Sequence, residues 1–285
     1  MFKLALLLVV CSITSVKAQV ITDSILIEGH FRTFNYKDPG SNKRSSLMFV
    51  MHGSGGNGKD MMGSTTRLEA KANSEQLLLV YPDGYQHYWN ECRKAATSTA
   101  NIENINENAF FDSMINYFES KYHINKKSVF AVGTSGGGHM AYKLALTIPE
   151  KFRAVTAIIA NLPDTNNLDC IEVKRPISIM IINGTEDPLN KYDGGMMVSG
   201  NVTFGYVRST NRSFNYWSTL AGYSGEPLKE SLPDTDPSDG RTIERYTFKQ
   251  KGKPEVVLLK VIGGKHDYPK DIDVHQEAWN FFKRQ

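Results

Sequence analysis

Apolar positions divide the chain into short uninterrupted runs and longer stretches with helical spacing. Six runs, at 47–52, 77–81, 128–132, 155–160, 177–182 and 256–262, are mostly apolar and lie between turn-forming neighbours. Runs of this length without alternation suit strands buried on both faces of a parallel sheet. Residues 25–36 (ILIEGHFRTFNY) predict two further strands with a turn near Glu28-Gly29. Between the runs, residues 107–121 place Phe110, Phe111, Met114, Ile115 and Phe118 at helical spacing, and 136–147 and 273–284 read similarly. Strands alternating with helices predict one α/β domain, a mostly parallel sheet flanked by helices and joined by right-handed crossovers. The stretch 222–253 is rich in Gly, Pro, Asp, Ser and Lys and reads as a long loop or insertion.

The first eighteen residues, MFKLALLLVVCSITSVKA, break this pattern. One cation, Lys3, precedes an apolar run, and small and polar residues follow as far as Ala18. This is the layout of a secretory signal, and its apolar run is too short to span a bilayer. Residues 1–18 are therefore expected to be a signal peptide, with a single domain at 19–285 that is secreted or periplasmic. No other segment approaches 18 consecutive apolar residues, so the expectation is a soluble protein with no membrane span.

Charge adds an exclusion. Lys+Arg 33 against Asp+Glu 30 gives +3, and a chain cut after Ala18 loses Lys3 and Lys17, leaving +1. That balance provides no electrostatic footprint for nucleic acid or an anionic membrane. At 285 residues the chain can bury a substantial core without a metal or disulfide staple. Cys92 and Cys170 remain after Cys11 is removed; a bridge between them and two buried thiols are both open readings.

The strongest local signal is SVFAVGTSGGGHMAYKLAL. A strand runs to Val132, then Gly133-Thr134-Ser135-Gly136-Gly137 matches G-x-S-x-G, and helix-forming residues follow at once. A serine at so sharp a strand-to-helix turn needs small neighbours, and the helix N-terminus behind it favours a developing negative charge. A second strand ends in His52-Gly53-Ser54-Gly55-Gly56-Asn57-Gly58, where glycines let backbone approach a substrate. Ser54 and Gly136 are the candidate oxyanion-hole donors. A phosphate-cradling loop is the competing reading, but Lys59 is followed by Asp60 and the glycine spacing departs from the P-loop pattern.

The strand at 177–182 leads into Asn183-Gly184-Thr185-Glu186-Asp187-Pro188. A carboxylate there sits at the carboxyl end of a parallel strand, where open α/β sheets place their crevice. Asp187 is the first choice, with Glu186 and Asp193 as local alternatives. The last strand is followed by Gly263-Gly264-Lys265-His266, which brings His266 to the same rim. The other histidines read as packed or solvated. The order Ser135, Asp187, His266 is that of the α/β-hydrolase catalytic triad. Asp234 to Gly240 lacks the bidentate Glu of a calcium loop, and no Cys/His cluster has zinc spacing.

At these residues the chain resembles the secreted polyhydroxybutyrate-depolymerase-like and feruloyl/acetylxylan esterases of carbohydrate esterase family one. The specific pieces are HGSGGN at 52–57, YPDG at 81–84 with Trp89-Asn90 after it, GTSGGG at 133–138, NGTEDPLNKYDGG at 183–195 and GGKHDYP at 263–269. The resemblance implies an α/β-hydrolase and a serine esterase with Ser135, Asp187 and His266 as triad and no cofactor. Cysteines after the Trp-Asn pair and before the acid-bearing strand are frequent in similar proteins, which fits Cys92 and Cys170. The chain departs from the family at Gly222-Tyr223, Lys265 and Tyr268-Pro269, so the substrate does not follow. Trp89, Tyr268 and Trp217 are candidate acyl- or sugar-contacting aromatics, with core packing the alternative for each. The expected partner is an ester, feruloyl or acetyl, on plant polysaccharide. A polyhydroxyalkanoate or other polyester, a peptidase activity, and a non-catalytic carbohydrate-binding module are the alternatives.

Overall fold

In the computed structural model, which describes residues 19–40, 46–200 and 202–285, the apolar runs pair side by side. The expected signal peptide, 1–18, lies outside the described residues. The strands are β1 (Val20–Ile27), β2 (His30–Lys37), β3 (Ser46–Met51), β4 (Leu77–Pro82), β5 (Val129–Thr134), β6 (Ala154–Ile158), β7 (Ser178–Gly184), β8 (Gly195–Ser199), β9 (Val202–Val207), β10 (Leu228–Ser231), β11 (Thr242–Phe248) and β12 (Val256–Ile262). The helices are α1 (Gly58–Ser64), α2 (Thr66–Lys71), α3 (Thr99–Ile102), α4 (Glu107–Tyr122), α5 (Gly136–Thr147), α6 (Thr210–Leu220) and α7 (Val274–Phe282).

Ten strands form one sheet in the order β1-β2-β4-β3-β5-β6-β7-β12-β11-β10. The six central strands, β4 to β12, are parallel, and antiparallel strands close each end. Two-sided burial explains the apolar runs. Leu47, Phe49 and Met51 of β3 face a core built with α4, α5 and α6. Met48 and Val50 face a second core with α1, α2 and α7. Both faces being apolar, alternation disappears from the sequence.

The stretch 222–253 corrects the sequence reading. It contains β10 and β11, which extend the sheet beyond β12. Every residue of β10 is exposed, so no apolar pattern marks it. The hairpin of β8 and β9 forms a separate two-stranded sheet, and α1, α2 and α6 also lie outside the predicted elements. No helix among the described residues is long and apolar enough to cross a membrane.

Helix α7 buries His275 at 2% exposure, edge to face with the Tyr268 ring at 5.5 Å between centroids. Burial pushes its pKa down to about 4. The unfolded chain then binds a proton near pH 6.5 that the folded chain refuses until about pH 4. Stability should therefore be complete above pH 6.5 and fall by about 3 kcal/mol as pH drops through that window. Thermal melting of the protein and of His275→Phe between pH 7 and 4 checks this: the variant should show the shallower decline.

Candidate active site

Strand β5 ends one residue before Ser135, and α5 begins one residue after it. Ser135 takes φ 54° and ψ −115°, a strained backbone for a residue with a side chain. Close packing of α5 on the sheet imposes it. A Cβ on Gly133 would stand 2.0 Å from the Gly137 carbonyl oxygen, and one on Gly137 would stand 2.5 Å from that of Met51. Only glycine permits this approach, and the chain can then turn only by lifting Ser135 out of the strand path. The Ser135 N–H donates to the Ile158 carbonyl at 2.9 Å, which ties the turn to β6.

His266 and Asp187 arrive on two loops that are laced together. The Glu186 N–H donates to the Gly264 carbonyl at 2.8 Å, and the Gly263 N–H donates to Thr185 Oγ1 at 2.9 Å. The result brings the three predicted residues into one line. His266 Nε2 lies 3.0 Å from Ser135 Oγ, and His266 Nδ1 lies 2.7 Å from Asp187 Oδ2. An ionised carboxylate only accepts, so Nδ1 carries the hydrogen and Nε2 is left to accept from the serine hydroxyl. The other oxygen, Asp187 Oδ1, accepts from the Leu189 and Asn190 N–H groups, each at 2.8 Å. These bonds hold the buried Asp187 side chain (1% exposed), while the His266 side chain keeps 23% exposure at the rim. The local alternatives Glu186 and Asp193 take no part in this line.

Ser54 and Gly136 also meet as expected. A Cβ on Gly136 would lie 2.9 Å from Ser54 N and 2.4 Å from Ser54 Oγ. The first N–H groups of α5 have no intrahelical acceptor, and Gly136 opens that helix in close contact with Ser54.

The loop carrying Ser54 is braced from three sides. The buried His52 accepts from the Gly84 N–H through Nε2 at 2.9 Å, so its Nδ1–H donates to the Gly53 carbonyl at 2.7 Å. Burial lowers the His52 pKa and favours this neutral ring. His87 places Nδ1 2.9 Å from the Gly56 carbonyl, and its own carbonyl accepts from the Gly55 N–H at 2.9 Å. Gln86 and His87 reach these positions with φ of 47° and 71°. Sequence reasoning passed over His87 because an exposed turn histidine has no pattern; the contact exists only in three dimensions.

The candidate aromatic contacts resolve mainly as packing. Trp89 is 2% exposed, lies 4.9 Å from the His52 ring and donates Nε1–H to the His52 carbonyl at 2.9 Å. Tyr268 shares a 2.5 Å hydrogen bond with Thr134 Oγ1, beneath the serine turn. Trp217 is buried and stacks on Tyr142. Trp89 nevertheless lines a narrow crevice beside Ser54 and Gly136, with Tyr88, Ala96 and Phe204 in its wall. Arg93 and Glu91 line it as a buried pair, 2.6 Å apart, under the Phe204 ring.

The bridge left open in the sequence is present. Cys92 and Cys170 are joined, with Cα atoms 5.2 Å apart. Around it, the Lys94 N–H donates to the Asn167 carbonyl at 2.7 Å, and Asn167 Nδ2 donates to the Phe204 and Tyr206 carbonyls, each at 3.0 Å. The crevice wall, the bridge and the β8–β9 hairpin are thus one connected unit.

The comparisons with known proteins bear on this geometry. No family model matches the chain. A solved acetyl xylan esterase from Aspergillus awamori superposes with a TM-score of 0.62 at 15% identity, covering 92% of this chain and 99% of that one. The chain has the α/β-hydrolase fold. Among sequence relatives, a probable feruloyl esterase C of Aspergillus flavus is 30% identical to this chain over 164 residues, 56% of this chain and 55% of that protein. A bifunctional acetylxylan esterase/xylanase of Neocallimastix patriciarum is 26% identical over 237 residues, 83% of this chain and 31% of the relative. The chain therefore spans about half the length of the feruloyl esterases it matches. The suspected resemblance to feruloyl and acetylxylan esterases holds.

Joining residues 78 apart in sequence removes loop entropy worth about 4 kcal/mol from the unfolded chain. The Cys92→Ala/Cys170→Ala variant should lose roughly that much stability by denaturant titration. A midpoint equal to that of the parent would show that the bridge carries no weight.

Proposed function

We propose that the chain is a serine carboxylic-ester hydrolase, exported from the cell, that acts through an acyl-enzyme on esters of plant polysaccharide. One observation carries the proposal: a serine in a strained turn hydrogen-bonds the imidazole whose other nitrogen meets a buried carboxylate. The relatives named feruloyl and acetylxylan esterase support the ester and its polysaccharide setting. The amino-terminal eighteen residues and the disulfide support export.

In this reading each residue has a role. Ser135 Oγ attacks the ester carbonyl carbon while His266 Nε2 takes its proton. The carbonyl oxygen becomes an oxyanion and accepts from the Ser54 and Gly136 N–H groups. Asp187 orients the ring through Nδ1 and stabilises its charged form. When the tetrahedral centre collapses, the alcohol leaves with the proton from His266, and Ser135 keeps the acyl group. Water then repeats the sequence, with His266 taking its proton and returning it to Ser135. No cofactor enters.

Ser135→Ala should lower p-nitrophenyl acetate turnover by more than about a thousandfold while the melting temperature stays near that of the parent. Retained turnover would remove the assignment. A panel of methyl ferulate, acetylated xylan and polyhydroxybutyrate decides among acyl groups and polymers, and a feruloyl or acetyl ester should be cleaved with higher kcat/KM than the polyester. Preferred turnover of the polyester would overturn the polysaccharide reading.

A further inference from the structure

Ser135 stands at the edge of the sheet where the parallel strands end. The opposite edge, where they begin, gathers positive charge. Residues 72–76, 123–128, 148–153, 171–177 and 249–255 lead into β4, β5, β6, β7 and β12, and 283–285 follow α7. Arg284 reaches Glu255 at 2.9 Å, which places the residues after α7 at the same edge. These six segments hold eleven Lys and Arg against four acids, an excess of seven in a chain whose total excess is three. The rest of the chain is therefore net acidic, and the small total conceals the segregation. Self-repulsion among gathered cations works against the compact state, and exposed side chains gain no core packing in return.

The surface at this edge is concave. One trough passes Lys127 and Lys283 on the way to Arg153. A second runs on from Arg153 past Arg175, Lys251 and Lys253. Arg153 and Gln285 line both, so the two are continuous. An acid already seated in the trough shows what it grips. Glu255, 5% exposed, accepts from Arg284 Nε at 3.0 Å, Arg284 Nη2 at 2.9 Å and Gln285 Nε2 at 3.2 Å, with Lys249 3.5 Å away. Glu75 is engaged by Lys283 at 3.1 Å. Lys127, Arg153, Arg175 and Lys251 are exposed and have no acid partner among the described residues. Guanidinium forks match carboxylates through two parallel bonds. Pro149, Phe152, Pro176 and Pro254 line the same trough between the cations.

We infer that this trough docks an acidic, extended segment of a partner protein, at the edge opposite Ser135. A carboxylate is the matching group because the trough already holds one at Glu255 and leaves four neighbouring cations without one. An extended peptide is the matching form because its side chains alternate, sending carboxylates to the cations and the others to the prolines and Phe152. A lipid layer is planar and does not follow a trough. Held by this edge, the protein keeps the rim with Ser135 turned away from the partner. The contact goes beyond the esterase reading and does not depend on it.

The test uses the full chain and fluorescein-labelled deca-glutamate, read by fluorescence anisotropy. Binding should be saturable at an ionic strength of about 0.01 M and fall away above about 0.1 M, as the screening length shortens from ~30 to ~10 Å. Arg153→Glu/Arg175→Glu should weaken it by about tenfold or more, with p-nitrophenyl acetate turnover and melting temperature unchanged. Lys127→Gln/Lys251→Gln, which removes charge without adding acid, should weaken it about threefold and gives the reading if the reversal disturbs folding. Arg67→Glu, a reversal on α2 outside the trough, should leave it unchanged. Equal affinity of the parent and both trough variants overturns the inference, as does no binding to the parent at low salt. So does an equal loss in Arg67→Glu, or tighter binding of phosphatidylglycerol vesicles or polygalacturonate than of deca-glutamate. Failure of the esterase reading would show separately, as p-nitrophenyl acetate turnover that survives Ser135→Ala.

Discussion

The contact between α5 and the sheet backbone is the constraint from which the site follows. Gly133, Gly137 and Gly138 bring the helix against β5, β3 and β6 at distances where a Cβ would meet backbone at 2.0 to 2.9 Å. That closeness leaves no room for a gradual turn, so the strain is concentrated at Ser135. The same contact aims the first N–H groups of α5 at the space beside Ser135 and sets Gly136 against Ser54. One packing event thus sets both the turn at Ser135 and the contact of Gly136 with Ser54. The cost of the strained serine, about 1–3 kcal/mol, is offset by the two large cores on either side of the sheet.

Much of the fold was legible because the central strands are buried twice over. Met48 and Val50 face one core while Leu47, Phe49 and Met51 face the other, so each run is apolar throughout and bounded by turn residues. The line of Ser135, His266 and Asp187 was legible for a related reason. Residues with polar chemistry stand directly after apolar runs, and in a parallel sheet all those run-ends share one rim. Ser135, Asp187 and His266 are each such a residue. The elements that escaped lack this signature. β10 is exposed along its length, and β11 alternates weakly because only Ile243 and Phe248 are buried. β8 and β9 owe their position to Asn167, whose side chain fills the place of a Cβ on Gly205, a contact between distant residues that no local pattern announces.

The roles of the aromatic residues were the least legible part, for a physical reason. A tryptophan beside a glycine-rich loop can stack on a ligand or support the loop, and composition is identical in both cases. Trp89 supports the loop: its Nε1–H reaches the His52 carbonyl, and its ring lies between His52 and Phe111. Tyr268 likewise grips Thr134 under the serine turn. Both residues hold the loops that carry Ser54 and Ser135.

The two halves of the rim divide the chemistry between them. β5, β7 and β12 deliver the hydroxyl, the carboxylate and the imidazole, while β3 and β4 deliver the loop with Ser54 and the turn that braces it. Alignment between the halves is a matter of register. Because β3 and β5 are apolar on both faces, slippage by one residue would not expose a polar face to the core, so burial alone specifies register weakly. Glycine contacts supply the missing specification. Gly137 fits against the Met51 and His52 carbonyls only when β3 and β5 are aligned as they are, with Met51 beside Gly133. The residues that shape the serine turn therefore also set the level of the opposing loop, so that hydroxyl and N–H donors come to the same height above the sheet.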